Sequence, residues 1–230
     1  MTVVAIVPAA GRGDRFGGAV PKVLCPLGGV PILCHTVTGL FASRYVDAVV
    51  VAAPQQRLAE VCRLLESQPR PVTVLAGGPS RQASVAAAVA ALPADAQIVL
   101  VHDGARPLVP VSVVDTVVEE VWGGAPAVAP LLSVVDSLKQ VDDGGRVVAT
   151  VPREALCVVQ TPQGFRRDVL ERAHAAESHA DREVDDITLV ERLGVPVRTI
   201  PGAADAMKIT WPPDLPMAEA ILSSRGVARS

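Results

Sequence analysis

Aromatic side chains are scarce: three Phe, two Trp and one Tyr in 230 residues. Ala, Val, Leu and Ile must therefore fill the core, which favours small side chains packed between helices and a buried sheet. The same scarcity argues against base stacking, the usual grip on single-stranded nucleic acid. Charge of one sign is also missing. With 21 basic and 24 acidic residues the formal net charge is -3, so the chain lacks the basic surplus that neutralises an extended phosphate backbone. No nucleic-acid partner is expected, and any phosphate chemistry has to be local. Lysine is rare as well. Only Lys22, Lys139 and Lys208 interrupt a preference for Arg, so each is mildly informative.

Other absences narrow the class further. Cys25, Cys34, Cys62 and Cys157 form no C-x-x-C pair, and the four His are not spaced to complete a zinc site with them. Neither a disulfide framework nor a structural metal is supported, which implies a reducing, cytoplasmic setting. The apolar start of MTVVAIVPAAGRG is too short for a membrane span and lacks a preceding basic segment. It reads as a buried first strand rather than a signal peptide, and no membrane partner is expected. No internal repeat, low-complexity tract or D-x-D motif occurs.

Half of the residues are hydrophobic, and they fall in short unbroken runs: Val3 to Val7, Ala48 to Ala52, Val72 to Leu75, Ile98 to Val101 and Ala127 to Pro130. Such runs fit strands covered on both faces, the pattern of a parallel sheet. Helical spacing lies between them, at Pro31 to Ala42, Gln55 to Leu65, Ser80 to Leu92 and Val111 to Val121. The alternation predicts an α/β fold with a doubly wound, mostly parallel sheet. Between Leu131 and Cys157 the rhythm breaks into two short strands joined at Asp142-Asp143-Gly144-Gly145, residues that tolerate positive φ. The chain is thus expected to be one domain over 1–230, with a β-hairpin arm at about 132–156. A short strand at Leu156 to Gln160, helices at Arg167 to Glu177 and Asp185 to Leu193, a strand at Val195 to Ile200 and a helix at Asp214 to Ser223 follow. The tail from Gly226 is expected to fray.

The loop after the first strand, Pro8-Ala9-Ala10-Gly11-Arg12-Gly13-Asp14-Arg15-Phe16-Gly17-Gly18, leads to Pro21-Lys22. Small residues at the carboxyl end of a parallel strand are where α/β folds place ligands, because backbone N–H groups can approach phosphate oxygens there. G-x-G-x-x-G fails at Phe16, and G-x-x-x-x-G-K fails because Ala19 follows Gly18. What remains is a loop with two Arg and a nearby Lys, a cradle for a triphosphate or a turn with solvated charges.

This loop resembles the signature of the nucleotidylyltransferases that activate sugars and polyols. Together with Gly77-Gly78-x-x-Arg81-x-x-Ser84-Val85, Val101-His102-Asp103-Gly104-Ala105-Arg106-Pro107, Asp136-Ser137-x-Lys139, Thr161-Pro162-Gln163 and Met207-Lys208-Ile209-Thr210, it is similar to the 2-C-methyl-D-erythritol 4-phosphate cytidylyltransferases of the non-mevalonate isoprenoid pathway. The resemblance runs in order from about Val3 to about Ala220. It implies a Rossmann-like nucleotidyltransferase fold that transfers the cytidylyl group of CTP to a polyol phosphate with release of pyrophosphate.

By the same resemblance, Arg15, Lys22 and Lys208 are catalytic. Pro8, Ala9, Ala10, Gly11, Gly13, Gly77, Gly78, Arg81, Ser84 and Asp103 bind nucleotide, and Gly104, Arg106, Ser137, Arg153 and Asp205 bind the polyol phosphate. Asp103 ends an apolar strand and is assigned Mg²⁺ or another divalent ion, since one carboxylate suffices where phosphates and water complete the shell; capping a turn or pairing with Arg106 is the plainer alternative. His102 beside it reads as a packed strand-end residue. Ser84 can serve either the ligand or its own helix. A homodimer is implied, with the arm completing the partner's site. Two departures stand out: Val184 where the family often has Thr, and Gly104 where Ala is common. Ribitol-5-phosphate cytidylyltransferase is the nearest alternative enzyme, and a non-catalytic nucleotide-binding module is an alternative class. A nucleotide-sugar glycosyltransferase would want the missing D-x-D.

Overall fold

The computed structural model describes residues 1–11, 13, 15–17, 20–176 and 185–227. Its strands are β1 (Thr2–Pro8), β2 (Pro26–Leu27), β3 (Val30–Pro31), β4 (Val46–Ala53), β5 (Val72–Ala76), β6 (Ala96–Val101), β7 (Ala127–Ser133), β8 (Leu138–Val141), β9 (Val147–Val151), β10 (Cys157–Val159), β11 (Gln163–Arg166) and β12 (Val197–Pro201). The helices are α1 (Ile32–Phe41), α2 (Leu58–Leu65), α3 (Arg81–Ala90), α4 (Val111–Trp122), α5 (Arg167–Ala176), α6 (Asp186–Arg192) and α7 (Asp214–Val227).

One sheet holds the order β10-β7-β11-β6-β1-β4-β5, with β12 also paired to β7. The pairs β1/β4, β1/β6, β4/β5 and β7/β12 are parallel, whereas β10 and β11 run antiparallel to their neighbours. The period of two in β1 sends Val3, Ala5 and Val7 to one face, against α1, α2 and α4. Val4 and Ile6 go to the other face, against α3, α5 and α6. Both faces are therefore covered, which is why the strands read as continuous apolar runs. Phe165 and Phe41 are the only aromatics among the buried residues of this core, as the composition required. A smaller cluster of Leu27, Ile32, Leu108, Ile209 and Ala218, with Phe16 packed against it, lies under the loops at one end.

The structure departs from the sequence reading in places. The last helix extends to Val227, so Gly226 lies inside it. The expected Arg167 to Glu177 helix is described to Ala176, and its final residue lies outside the described residues. The short pair β2 and β3 was not expected, nor was β11, which slots between β6 and β7. Gly164 sits where a Cβ would meet Val117 Cγ1 at 2.4 Å and Val121 Cγ2 at 3.1 Å. The missing side chain lets α4 close onto the sheet. Gly164→Ala is expected to cost about 1–3 kcal/mol by overpacking, read as a lower urea midpoint; an unchanged midpoint would mean that α4 gives way freely.

Candidate active site

The chain runs from β1 outward to β4 and β5, then returns to β6 on the other side of β1. The crevice beyond the carboxyl ends of β1 and β6 is thus where strand order reverses, the usual ligand position in such sheets. Three segments meet there. Ala9 N–H donates to the Ala52 carbonyl at 2.8 Å, holding the exit of β1. Gly77 N–H donates to Ala53 at 2.8 Å, and a Cβ on Gly77 would lie 2.2 Å from Ala10 Cβ. Only glycine lets these two loops meet. On the third side, Ile209 N–H donates to Ala105 at 2.9 Å, fastening the Lys208 segment to the loop after β6.

Asp103 is the hub. Its Oδ1 faces Arg81 Nε at 3.4 Å, and its Oδ2 faces Arg106 Nε at 3.2 Å and Lys208 Nζ at 3.0 Å. Burial alone would raise its pKa, but the charges of Lys208, Arg81 and Arg106 more than offset this and hold it well below the carboxylate range. The group is a fixed anion. No cluster of three or more His, Cys, Asp or Glu side chains of metal-binding geometry occurs among the described residues. Asp103 is a carboxylate that could serve a metal whose remaining ligands are phosphates and water, the usual habit of Mg²⁺.

His102 is packed, as its strand-end position suggested. Its ring nitrogens pair with Thr161 Oγ1 at 3.0 Å and the Arg106 carbonyl at 3.1 Å. Burial pushes its pKa down to about 4, so it is neutral at pH 7 and unsuited to anion binding.

Lys22 opens a short 3₁₀ turn, Lys22–Leu24, and Gly13 abuts its side chain. Partial burial lowers its pKa first, and the like charges of Lys208 and Arg15 lower it further; Asp103 and Asp214 act in the opposite sense. Lys22 therefore has two other cations, Lys208 and Arg15, within electrostatic reach. Such an arrangement is completed by a polyanion.

The remaining candidates divide. Ser80, not Ser84, caps α3, accepting from Ala83 N–H at 3.0 Å. Ser84 Oγ accepts from Gly78 N–H at 3.1 Å and donates to the Ser80 carbonyl at 2.9 Å, so it braces the glycine loop. Arg106 Nη1 donates to the Ala206 carbonyl at 2.8 Å, which ties two walls of the crevice. Asp205 pairs with Arg225 of α7 at 3.0 Å. Ser137 and Arg153 lie on the arm, where Arg153 bonds the Val135 carbonyl. Neither makes a polar contact with Arg15, Lys22, Asp103 or Lys208 among the described residues. Val184 lies outside the described residues.

Sequence reasoning missed the support behind Arg81. Asp186, fully buried, takes Arg81 Nη1 at 2.7 Å and His174 Nε2 at 2.9 Å. An acidic pair at 185–186 was visible in the sequence, but nothing local pointed from it to Arg81, 105 residues away. Trp211 was missed too; the Arg15 guanidinium lies 5.9 Å from its ring centroid.

Comparisons with known proteins identify the family. A family model described as 2-C-methyl-D-erythritol 4-phosphate cytidylyltransferase, IspD, matches residues 3–224. A protein of that name from Frankia casuarinae is 53% identical over 221 residues, covering 96% of this chain and 81% of the relative. Another, from Saccharopolyspora erythraea, is 50% identical over 226 residues and covers 97% and 100%. The solved structure of 2-C-methyl-D-erythritol 4-phosphate cytidylyltransferase from Thermus thermophilus superposes with a TM-score of 0.78 at 37% identity, covering 96% of this chain and 98% of the other.

Proposed function

The chain belongs to the 2-C-methyl-D-erythritol 4-phosphate cytidylyltransferases, and from that membership we propose how its own residues carry the reaction. The fold is the Rossmann-like α/β nucleotidyltransferase fold, and the activity is transfer of the cytidylyl group of CTP to 2-C-methyl-D-erythritol 4-phosphate in isoprenoid precursor synthesis. An oxygen of the polyol phosphate attacks the α-phosphorus of CTP, and pyrophosphate leaves. The names of the relatives favour this substrate over ribitol 5-phosphate.

The observation that carries the residue assignment is Lys22 lying within electrostatic reach of Arg15, Lys208 and the buried Asp103, to which Lys208 is paired. A phosphate monoester has a second pKa near 6, so at neutral pH it is already largely dianionic and needs no general base. The site needs in-line positioning and positive charge at the developing negative charge. Arg15 and Lys22 supply the charge on the triphosphate side. Lys208, the most exposed of the three cations on Asp103, is placed to hold the polyol phosphate. Arg106 keeps the walls together and has Nη2 left for a phosphate oxygen. Asp103 would hold Mg²⁺, which when bound supplies positive charge against the triphosphate. Mixing CTP, Mg²⁺ and methylerythritol phosphate with the protein should release pyrophosphate; no release would end this reading.

No helix among the described residues is long and apolar enough to cross a membrane; a cytoplasmic setting rests on the scattered, free cysteines. The arm supports a homodimer. β8 and β9 form a two-stranded sheet of their own, and Val135, Val141, Val147 and Val148 stay more than half exposed on the arm. An apolar hairpin uncovered by its own chain suits a second copy, whose site would receive Ser137 and Arg153. Co-expressing Arg153→Ala with Lys22→Ala chains tests this. In a symmetric dimer half of the random pairs are mixed, each with one intact site, so about a quarter of wild-type activity should return. If the arm served its own chain, none would.

A further inference from the structure

Trp211 is a large apolar ring left 53% exposed beside a group of cations. Its position is fixed by short contacts. Asp214 Oδ2 accepts from Thr210 N–H at 2.7 Å and from Trp211 N–H at 2.8 Å. The neighbouring Ile209 is buried in the small apolar cluster that Phe16 also packs against, so the residues flanking Trp211 and Arg15 share an anchor. Lys208 has Asp103 as a partner. Among the described residues the Arg15 guanidinium has no carboxylate partner; it has the Trp211 ring, 5.9 Å from the centroid. The face of an indole is electronegative and attracts a guanidinium at this range.

We infer that Trp211 is a positioning residue that seats Arg15 at the mouth of the triphosphate site before nucleotide arrives. The inference rests on the reading of Arg15 as a triphosphate contact. An unseated arginine here would be pushed away by Lys22, since the repulsion between Lys22 and Arg15 acts on both. Seating offsets that repulsion and removes part of the side-chain ordering cost from the binding step. A guanidinium resting on a ring keeps its N–H donors for phosphate oxygens, so seat and ligand need not exclude each other. The requirement is for an aromatic face, not for bulk alone.

The chain has only two Trp, so a Trp122→Phe background leaves Trp211 as the sole indole. Trp122 is on α4 against Tyr45, away from the crevice. In that background Trp211→Leu is expected to lower kcat/KM for CTP about two- to fivefold, the size of an exposed cation–π contact. Trp211→Phe should stay within about twofold of its parent. Arg15→Ala should change the indole emission of the nucleotide-free protein, and Trp211→Leu should cost nothing further once Arg15 is gone. Equal activities for the Leu and Phe variants, an emission blind to Arg15, or a Trp211→Leu loss that persists without Arg15 would each overturn the inference. An Arg15→Ala enzyme of full activity would instead overturn the triphosphate role of Arg15, and the seat with it.

Discussion

Lys22→Ala should lower kcat by about 10²–10³-fold, equivalent to roughly 3–4 kcal/mol of barrier, while leaving the protein at least as stable as before. The two halves of this expectation come from one fact. Burial and the charges of Lys208 and Arg15 depress the Lys22 pKa. At neutral pH the unfolded chain carries this lysine protonated at no penalty, whereas the folded chain must desolvate it among like charges. Removing the ammonium therefore relieves the folded state. Only the nucleotide-bound state benefits from it, because the triphosphate brings the missing negative charge. Steady-state kinetics beside a thermal melt separate the alternatives. A lysine that merely supported the 3₁₀ turn at Lys22–Leu24 would lose activity and melting temperature together. Lys22→Arg should restore little, since a forked guanidinium does not replace a compact point charge aimed at one oxygen. Full activity in Lys22→Ala would remove it from the mechanism.

The parts of this molecule that could be read from sequence are those whose cause is local. β1 and β6 announce themselves because strands covered on both faces must be apolar throughout, and the loop after β1 is legible because small residues in that position have few structural reasons to be there. β11 fails the same test. Gln163-Gly164-Phe165-Arg166 offers one large apolar residue and no alternation, and it is a strand only because β6 and β7 offer their edges on either side. The hairpin was legible from its turn, where Asp142 Oδ1 accepts from Gly144 and Arg146 N–H. The candidate site divides in the same way. Residues on the signature loops were found; the partners that hold them were not. Arg81 and Asp186 are separated by 105 positions, and an ion pair leaves no period in the sequence. Trp211 was hidden for the same reason, since nothing near it in the chain names Arg15.

Asp186→Ala is expected to cost about 3 kcal/mol of folding stability, the lower end for breaking a buried ion pair, because it strips Arg81 of its shorter carboxylate contact and leaves only the longer one to Asp103. Asp186 is fully buried between Arg81 of α3 and His174 of α5, so the loss reaches both of those helices. Burial would raise the Asp186 pKa, but the Arg81 charge and the His174 hydrogen bond override it and leave the value depressed. A carboxylate with a depressed folded-state pKa contributes stability that is present above its unfolded pKa of about 4 and is lost as the pH falls below that. Asp186→Asn keeps the shape without the charge. Urea midpoints for wild type and Asp186→Asn should therefore lie far apart at pH 7 and converge as the pH falls below about 4. A gap that stayed constant over that range would mean that the side chain acts by packing alone, and that Arg81 is held beside Asp103 by something other than this charge.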